Sequence, residues 1–248
     1  MKEDKEIKQY IIDFMNHFGY SCNEIEESSN ETPDLLVNCN DEDIGIEIKT
    51  KCDDESALLK KMNILKSGYT YEYSKEIKRQ NNISKIIGKA SKQLLSISNL
   101  NYRGIWFDIK NDNPENTIEL IKSSLYGKKV IFTNRPEAVN CYYFTNSDFY
   151  KYKNEIDFAY ISHNNKIEML INNISIKYHN LLKSSFIAAF KEFLYDPIND
   201  DKLGKIFIID TDIDRSNTDE LLKYLMAKYN LEYAKDVYLT EYGGEKII

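Results

Sequence analysis

The chain is poor in the residues that staple small secreted domains and zinc modules. Only four of its 248 residues are cysteine, Cys22, Cys39, Cys52 and Cys141, and no two stand at CxxC spacing. The three histidines, His17, His163 and His179, are not grouped with them, so neither a zinc knuckle nor a disulfide framework is indicated. Long apolar runs are missing as well. No stretch approaches the ~18 apolar residues of a membrane span, and the opening segment Met1 to Glu6 leads into an amphipathic stripe. A cytoplasmic protein without a membrane partner is the expectation. No internal repeat or low-complexity linker is visible. An excess of positive charge is absent too: the net charge is −7 and the pI about 5.2, which by themselves argue against a polyanionic partner.

The charge is unevenly spread, and that reverses the argument. Residues 1–48 carry 3 basic and 13 acidic side chains, residues 49–92 carry 11 and 5, and residues 93–248 carry 19 and 22. A basic block therefore sits inside an acidic chain. With 42% hydrophobic residues, the length suits one large or two small packed domains.

The acidic first segment holds the most informative pattern. Asp34 follows Pro33 and opens the extended run Asp34-Leu35-Leu36-Val37; Asn40 to Asp43 is strong turn chemistry; and Ile44-Gly45-Ile46-Glu47-Ile48-Lys49-Thr50 alternates with period two. This reads as a β-hairpin. Ile44, Ile46 and Ile48 then share one face, while Gly45, Glu47, Lys49 and Lys51 share the other. A turn about Asn40-Asp41 or Asp41-Glu42 sets Asp34 opposite Glu47 or Lys49, with Cβ atoms roughly 4.5–5.5 Å apart. A single divalent ion can then touch both carboxylates.

Helical patterns flank the hairpin. The first has its apolar stripe at Ile7, Ile11, Phe14 and Phe18 and ends at Gly19, with Glu3 and Glu6 beside the stripe. The second, at about 82–99, has its stripe at Ile83, Ile86, Ile87, Ala90, Leu94 and Ile97. Its opposite side gathers Lys85, Lys89 and Lys92 within about 60°, and Gln93 lies between the two. Gln93 thus stands where a residue borders a cleft while its helix packs on a sheet. The strand Arg103 to Asp108 follows. Between hairpin and helix, Tyr69 to Asn82 mixes tyrosines with Lys78 and Arg79 and reads as a loop able to stack on bases or track a backbone.

Pro33-Asp34, twelve residues, then Glu47-Ile48-Lys49, with this order of elements over about the first 110 residues, resembles the core of the PD-(D/E)xK nucleases, which include many restriction enzymes and Holliday-junction resolvases. An acid two residues before a lysine also occurs at Glu3, Glu6, Glu76 and Asp108, but only the Glu47 and Asp108 copies lie in apolar strands, and only Glu47 has a Pro-Asp start at hairpin distance. The resemblance implies an α/β, restriction-endonuclease-like mixed central sheet flanked by helices. It implies Mg²⁺ or Mn²⁺ held by Asp34, Glu47 and the backbone carbonyl of Ile48, and Lys49 acting on the phosphate or the nucleophile. By the same resemblance Glu6 and Gln93 are further candidates near the metal. Lys51, Lys78, Arg79, Lys85, Lys89 and Lys92 would contact nucleic acid, with DNA the expected substrate. Alternative readings are a binding module of the same fold without turnover, and a nuclease effector gated by a ligand or partner at the C-terminal part. Self-association as a homodimer stays open.

Beyond residue 110 the pattern stays α/β, with a helix near Pro114–Tyr126, strands at Lys129–Thr133, Asp157–Ser162 and Lys166–Ile171, a long helix near Ile176–Tyr195, and a buried strand at Lys205–Ile209. The division expected is a nuclease-like domain over residues 1–175 and a C-terminal α/β extension over 176–248. Asp210, Asp212 and Asp214 fail as an EF-hand loop, because Arg215 stands where Gly is needed and Leu221 where Glu is needed. They resemble the paired aspartates of Toprim domains, without a convincing upstream Glu-Gly strand end. The competing reading is a turn, with Ser216 to Asp219 as a capping box for a helix at Glu220–Tyr229.

Overall fold

The computed structural model describes residues 2–26, 32–52, 55–76, 80–111, 114–237 and 240–245. Lys78 and Arg79 lie outside them. The chain opens with helix α1 (Lys2–His17), which buries Ile7, Ile11 and Met15 and ends before Gly19, a residue in the left-handed region. Strands β1 (Ser21–Glu24), β2 (Leu35–Cys39) and β3 (Glu42–Cys52) follow as an antiparallel set. Cys39 pairs with Glu42, so the β2–β3 loop is the two residues Asn40 and Asp41, both at positive φ (45° and 67°). A two-residue loop with both residues left-handed matches the twist of the strands it joins, and Asn and Asp tolerate that region.

Helix α2 (Glu55–Lys66), strand β4 (Tyr71–Glu76) and helix α3 (Asn81–Leu95) make the crossover to β5 (Tyr102–Lys110), which lies parallel to β3. A parallel partner needs such a long connection. Within the segment 69–82, read from sequence as a loop, the described residues include regular structure. Tyr71–Glu76 is a strand, paired antiparallel with β13 (Thr240–Glu245) at the far end of the chain.

The next crossover holds helix α4 (Pro114–Tyr126), strands β6 (Lys129–Thr133) and β7 (Val139–Tyr142) and the short helix α5 (Asp148–Lys151), and leads to β8 (Phe158–His163), parallel to β5. Strand β9 (Lys166–Ile171) returns through a second two-residue loop, Asn164-Asn165, again with both residues at positive φ. The long helix expected near Ile176–Tyr195 is broken. It consists of α6 (Tyr178–Leu181) and α7 (Ser185–Ala189), with Ser184 capping α7 through a bond from the Ile187 amide, and it finishes in strand β10 (Leu194–Tyr195). Helix α8 (Pro197–Lys202), strand β11 (Ile206–Ile208), helix α9 (Thr218–Tyr229) and strand β12 (Ala234–Val237) complete the order.

Among the described residues the protein is thus α/β, with a mixed seven-stranded sheet in the order β1-β2-β3-β5-β8-β9-β10, a four-stranded sheet β11-β7-β6-β12 and the β4–β13 pair. The expected boundary at 175/176 does not divide these sheets. β10 belongs to the large sheet, and β6 and β7 belong to the small one. Both faces of the large sheet are covered, which is why β5 is buried from Tyr102 to Ile109. Ile105, Phe107 and Ile109 pack with Ile83, Ile87, Ala90 and Leu94 of α3; Trp106 packs with Ile7, Ile11 and Met15 of α1 and with Phe186 and Phe190. The face bearing Gly45 is the α3 face. A methyl group at Gly45 would lie 2.5 Å from a Leu100 methyl, so the missing side chain is what lets the Leu94 and Leu100 layer close over β3.

Candidate functional site

The register of the hairpin settles which residue Asp34 faces. Leu35 pairs with Ile46, so one step further along the ladder Asp34 stands opposite Glu47, the first of the two arrangements open to the sequence. The Asp34 carbonyl accepts from the Ile25 amide at 3.0 Å, and its Oδ2 accepts from the Ile48 amide at 2.8 Å. An extended residue turns its N–H and C=O toward the same side, so the Ile48 carbonyl is directed to the edge where Asp34 lies.

Glu47 is 1% exposed, beneath α3 on the face of Gly45 and Lys49. Its Oε1 takes the Lys49 ammonium at 2.5 Å, while Oε2 is buried without a hydrogen-bond partner among the described residues. Burial, and then the nearby Asp34 carboxylate, push the Glu47 carboxyl up to about 7 in spite of Lys49. An unpartnered buried carboxylate oxygen is costly, and a bound cation would remove that cost.

Gln93 completes the arrangement from α3. Its Oε1 accepts from Lys49 Nζ at 3.1 Å, and its amide nitrogen reaches the Thr32 carbonyl at 3.5 Å. α3 is held in place here by Arg103, buried in β5, whose guanidinium donates to the carbonyls of Leu94 and Ile97.

The helix α1 residue at the site is Lys8 and not Glu6. Lys8 Nζ bridges Glu24 Oε1 at 2.9 Å and Asp34 Oδ1 at 3.0 Å. Burial pulls its ammonium down, yet the contacts with Glu24 and Asp34 outweigh it and the net shift is upward. Periodicity gives no hint of Lys8, which sits off the apolar stripe; only the packing of α1 on β1 brings it in. Glu6 instead lines a cleft of about 490 Å³ with Asp108, Lys110 and His163. That cleft belongs to the other sheet face, since Asp108 shares its side of β5 with Trp106. There Asp108 accepts from the Ser162 hydroxyl and pairs with Lys110 at 3.5 Å.

Lys51 continues the Glu47 and Lys49 face of β3 and is half-buried. Lys85, Lys89 and Lys92 are exposed and line one wall of an open groove of about 650 Å³, with Lys151 and Tyr152 also in its lining. None of these three lysines is ion-paired among the described residues.

The second acidic cluster is used up by the protein's own donors. Asp210 accepts from Lys228 and Tyr224, Asp212 from the Tyr150 hydroxyl at 2.7 Å, and Asp214 from the Ser216 amide. This is the turn reading, with one correction: the N-cap is Asn217, whose side chain accepts from the Glu220 amide and donates to the Glu220 carboxylate. All four cysteines are free thiols. No group of three or more histidine, cysteine or acidic side chains is arranged for a metal among the described residues, and no helix there is long and apolar enough to cross a membrane.

What fold and site define together is an α/β protein whose central sheet carries a buried glutamate, a facing aspartate and a lysine steered by a helix-borne glutamine. No family model, curated protein or solved structure matched the chain.

Proposed function

We propose that this protein is a metal-dependent nuclease with a restriction-endonuclease-like core, hydrolysing phosphodiester bonds, with DNA as the expected substrate. The observation that carries the reading is Asp34 facing Glu47 across the hairpin, with one Glu47 oxygen unpartnered and Lys49 beside it. Asp34 and Glu47 fit a Mg²⁺ or Mn²⁺ ion, which is typically held by one or two carboxylates with the remaining positions left to water and phosphate oxygens. The Ile48 carbonyl is available on the same edge. When bound, such an ion supplies positive charge to the scissile phosphate and acidity to a water.

The rest falls to the chain's own residues. Lys49 has three N–H bonds and gives two, to Glu47 and Gln93, leaving one for a phosphate oxygen or an incoming water. Gln93, accepting from that ammonium and anchored on Thr32, positions Lys49 without touching the substrate. Lys8 neutralises Asp34 and fixes its carboxylate toward β3. Attack of water forms a new P–O bond as the P–O bond to the leaving sugar oxygen breaks; the proton lost by the water passes to solvent, and the leaving oxygen takes one up from solvent. Lys85, Lys89 and Lys92, beside Gln93 on α3, anchor the phosphate backbone.

The test is cleavage of supercoiled plasmid, linear duplex, single-stranded DNA and RNA with Mg²⁺, Mn²⁺ or EDTA. Asp34→Ala and Glu47→Gln are expected to abolish metal-dependent cleavage, and Lys49→Ala to lower the rate by about 10²–10³-fold, in proteins that still melt cooperatively. Asp108→Asn, on the opposite face, should retain activity. Full turnover by Glu47→Gln would overturn the reading.

A further inference from the structure

The lysine-lined groove does not end at α3. Its other wall is α5, which contributes Lys151 and is followed by Tyr152. The two walls are pressed together at Gly88, where an added methyl would sit 2.7 Å from the Tyr152 hydroxyl. Past Lys151 the groove runs into a second cleft of about 410 Å³, lined by Tyr150, Asn146 and Arg215 as well as Lys151 itself. Lys151 is common to both linings, so the two clefts adjoin at that side chain and together mark out a path. At the other end, Lys92 adjoins Gln93, which touches Lys49.

The path is cationic in a chain whose net charge is −7, and among the described residues neither lining includes a carboxylate. Three acids close to the linings are engaged by the protein's own donors: Asp148 of α5 is fully buried and accepts from Ser84 at 2.6 Å, Asp212 accepts from Tyr150, and Asp214 accepts from the Ser216 amide. Aromatic rings are interleaved with the cations. Lys151 lies 4.9 Å from the Tyr152 ring, and Lys153 and Arg215 lie 4.9 and 5.2 Å from the Tyr150 ring.

We infer that this path binds a single strand of nucleic acid and leads it to the Asp34, Glu47 and Lys49 face. The inference rests on the nuclease reading for its direction, while the binding it describes does not require turnover. Charge complementarity selects a polyanion. Tyrosines beside lysines select one with unpaired bases, whose flat faces are free to stack. The two clefts, of about 650 and 410 Å³, have room for a few nucleotides.

Fluorescence anisotropy in EDTA tests this with labelled oligothymidylate, oligouridylate and a duplex of equal length, using the full chain. Single strands are expected to bind more tightly than the duplex, and the ratio between the two oligomers tells whether the sugar is read. Lys151→Glu should weaken single-strand binding at least tenfold. Lys151→Glu and Arg215→Ala should each reduce the log–log salt slope by about 0.7 for every phosphate the variant no longer neutralises. Tyr152→Leu should weaken binding by about fivefold or more with the slope unchanged, and Tyr152→Phe should retain affinity. If Tyr152→Leu melts early, the exposed Lys151 decides the matter alone. Tighter binding of the duplex, or unchanged affinity and slope in the Lys151→Glu protein, would overturn the inference. Single strands bound as described but never cut with Mg²⁺ or Mn²⁺ would sink the nuclease reading and leave the groove standing.

Discussion

A carboxylate raised to about 7 makes Glu47 a thermodynamic reporter as well as a candidate ligand. In the unfolded chain a glutamate titrates near 4.3, so between roughly 4.3 and 7 the folded protein holds more protons than the unfolded one. Stability of the metal-free protein should therefore fall as pH rises through that window, by up to about 4 kcal/mol in all, and level off above it. Asp157, buried and also raised, acts in the same direction. Urea melts in EDTA at a series of pH values, compared between the native chain and Glu47→Gln, isolate the Glu47 share. The variant should lose most of the slope. An equal slope in both would mean that Glu47 is ionised throughout, with a counter-charge other than Lys49. Added Mg²⁺ should reverse the trend, since the pair must be deprotonated to ligate.

At the scale of elements, β5 is the strand against which the site is aligned, because β3 pairs with it along Ile44 to Cys52. Gly104 is its sensitive point. A methyl group there would lie 2.0 Å from a ring carbon of Phe158, which is fully buried on the neighbouring strand and has no room to retreat. Gly104→Ala is expected to destabilise the protein by about 1–3 kcal/mol, read as a lower urea midpoint at unchanged m. The elements most legible in the sequence were those with local signals. The hairpin followed from its period-two alternation and its Asn-Asp turn, and β9, α4 and β6 appear with the expected bounds. α3 starts at Asn81 and ends at Leu95, four residues short of expectation, where Ser96 caps it by donating to the Gln93 carbonyl. The interrupted helix after 176 was not legible. Its apolar residues suit a helix or a chain of short turns equally, and the Ser184 cap and the pull of β9 on β10 choose the latter.

For the whole molecule, the interleaving of the sheets has a direct consequence. A chain stopped after residue 175 would lack Leu181, Phe186, Ile187 and Phe190 in one core and Ile206, Phe207, Ile208, Leu221 and Leu225 in the other. It is expected to show no cooperative melt and to be digested rapidly by protease, although the hairpin and α3 are intact in it. The electrostatic layout gives a second expectation at this scale. Neutralising Lys85, Lys89 and Lys92 together should weaken single-strand binding regardless of sequence and lower its log–log salt slope by up to about 0.7 for each phosphate left without its lysine. Saturating substrate should then restore most of the cleavage rate, because such lysines position the backbone without acting in the transition state. An unchanged slope would identify the stripe as a merely solvated face.

By itself the sequence determined the parts of the site that lie close along the chain. Asp34, Glu47 and Lys49 share one hairpin, so alternation and turn length confine them to two registers, and Gln93 borders the cleft by the phase of its own helix. Tertiary structure alone chose between the registers, brought Lys8 rather than Glu6 to Asp34, sent Asp108 to the opposite face, and joined Lys151 and Arg215 to the lysines of α3. Those partners are separated by long stretches of chain, and their meeting depends on how helices pack on the sheet and on which strands pair across crossovers. Local periodicity carries no record of that, because it specifies which face of an element is apolar and not what that face will meet.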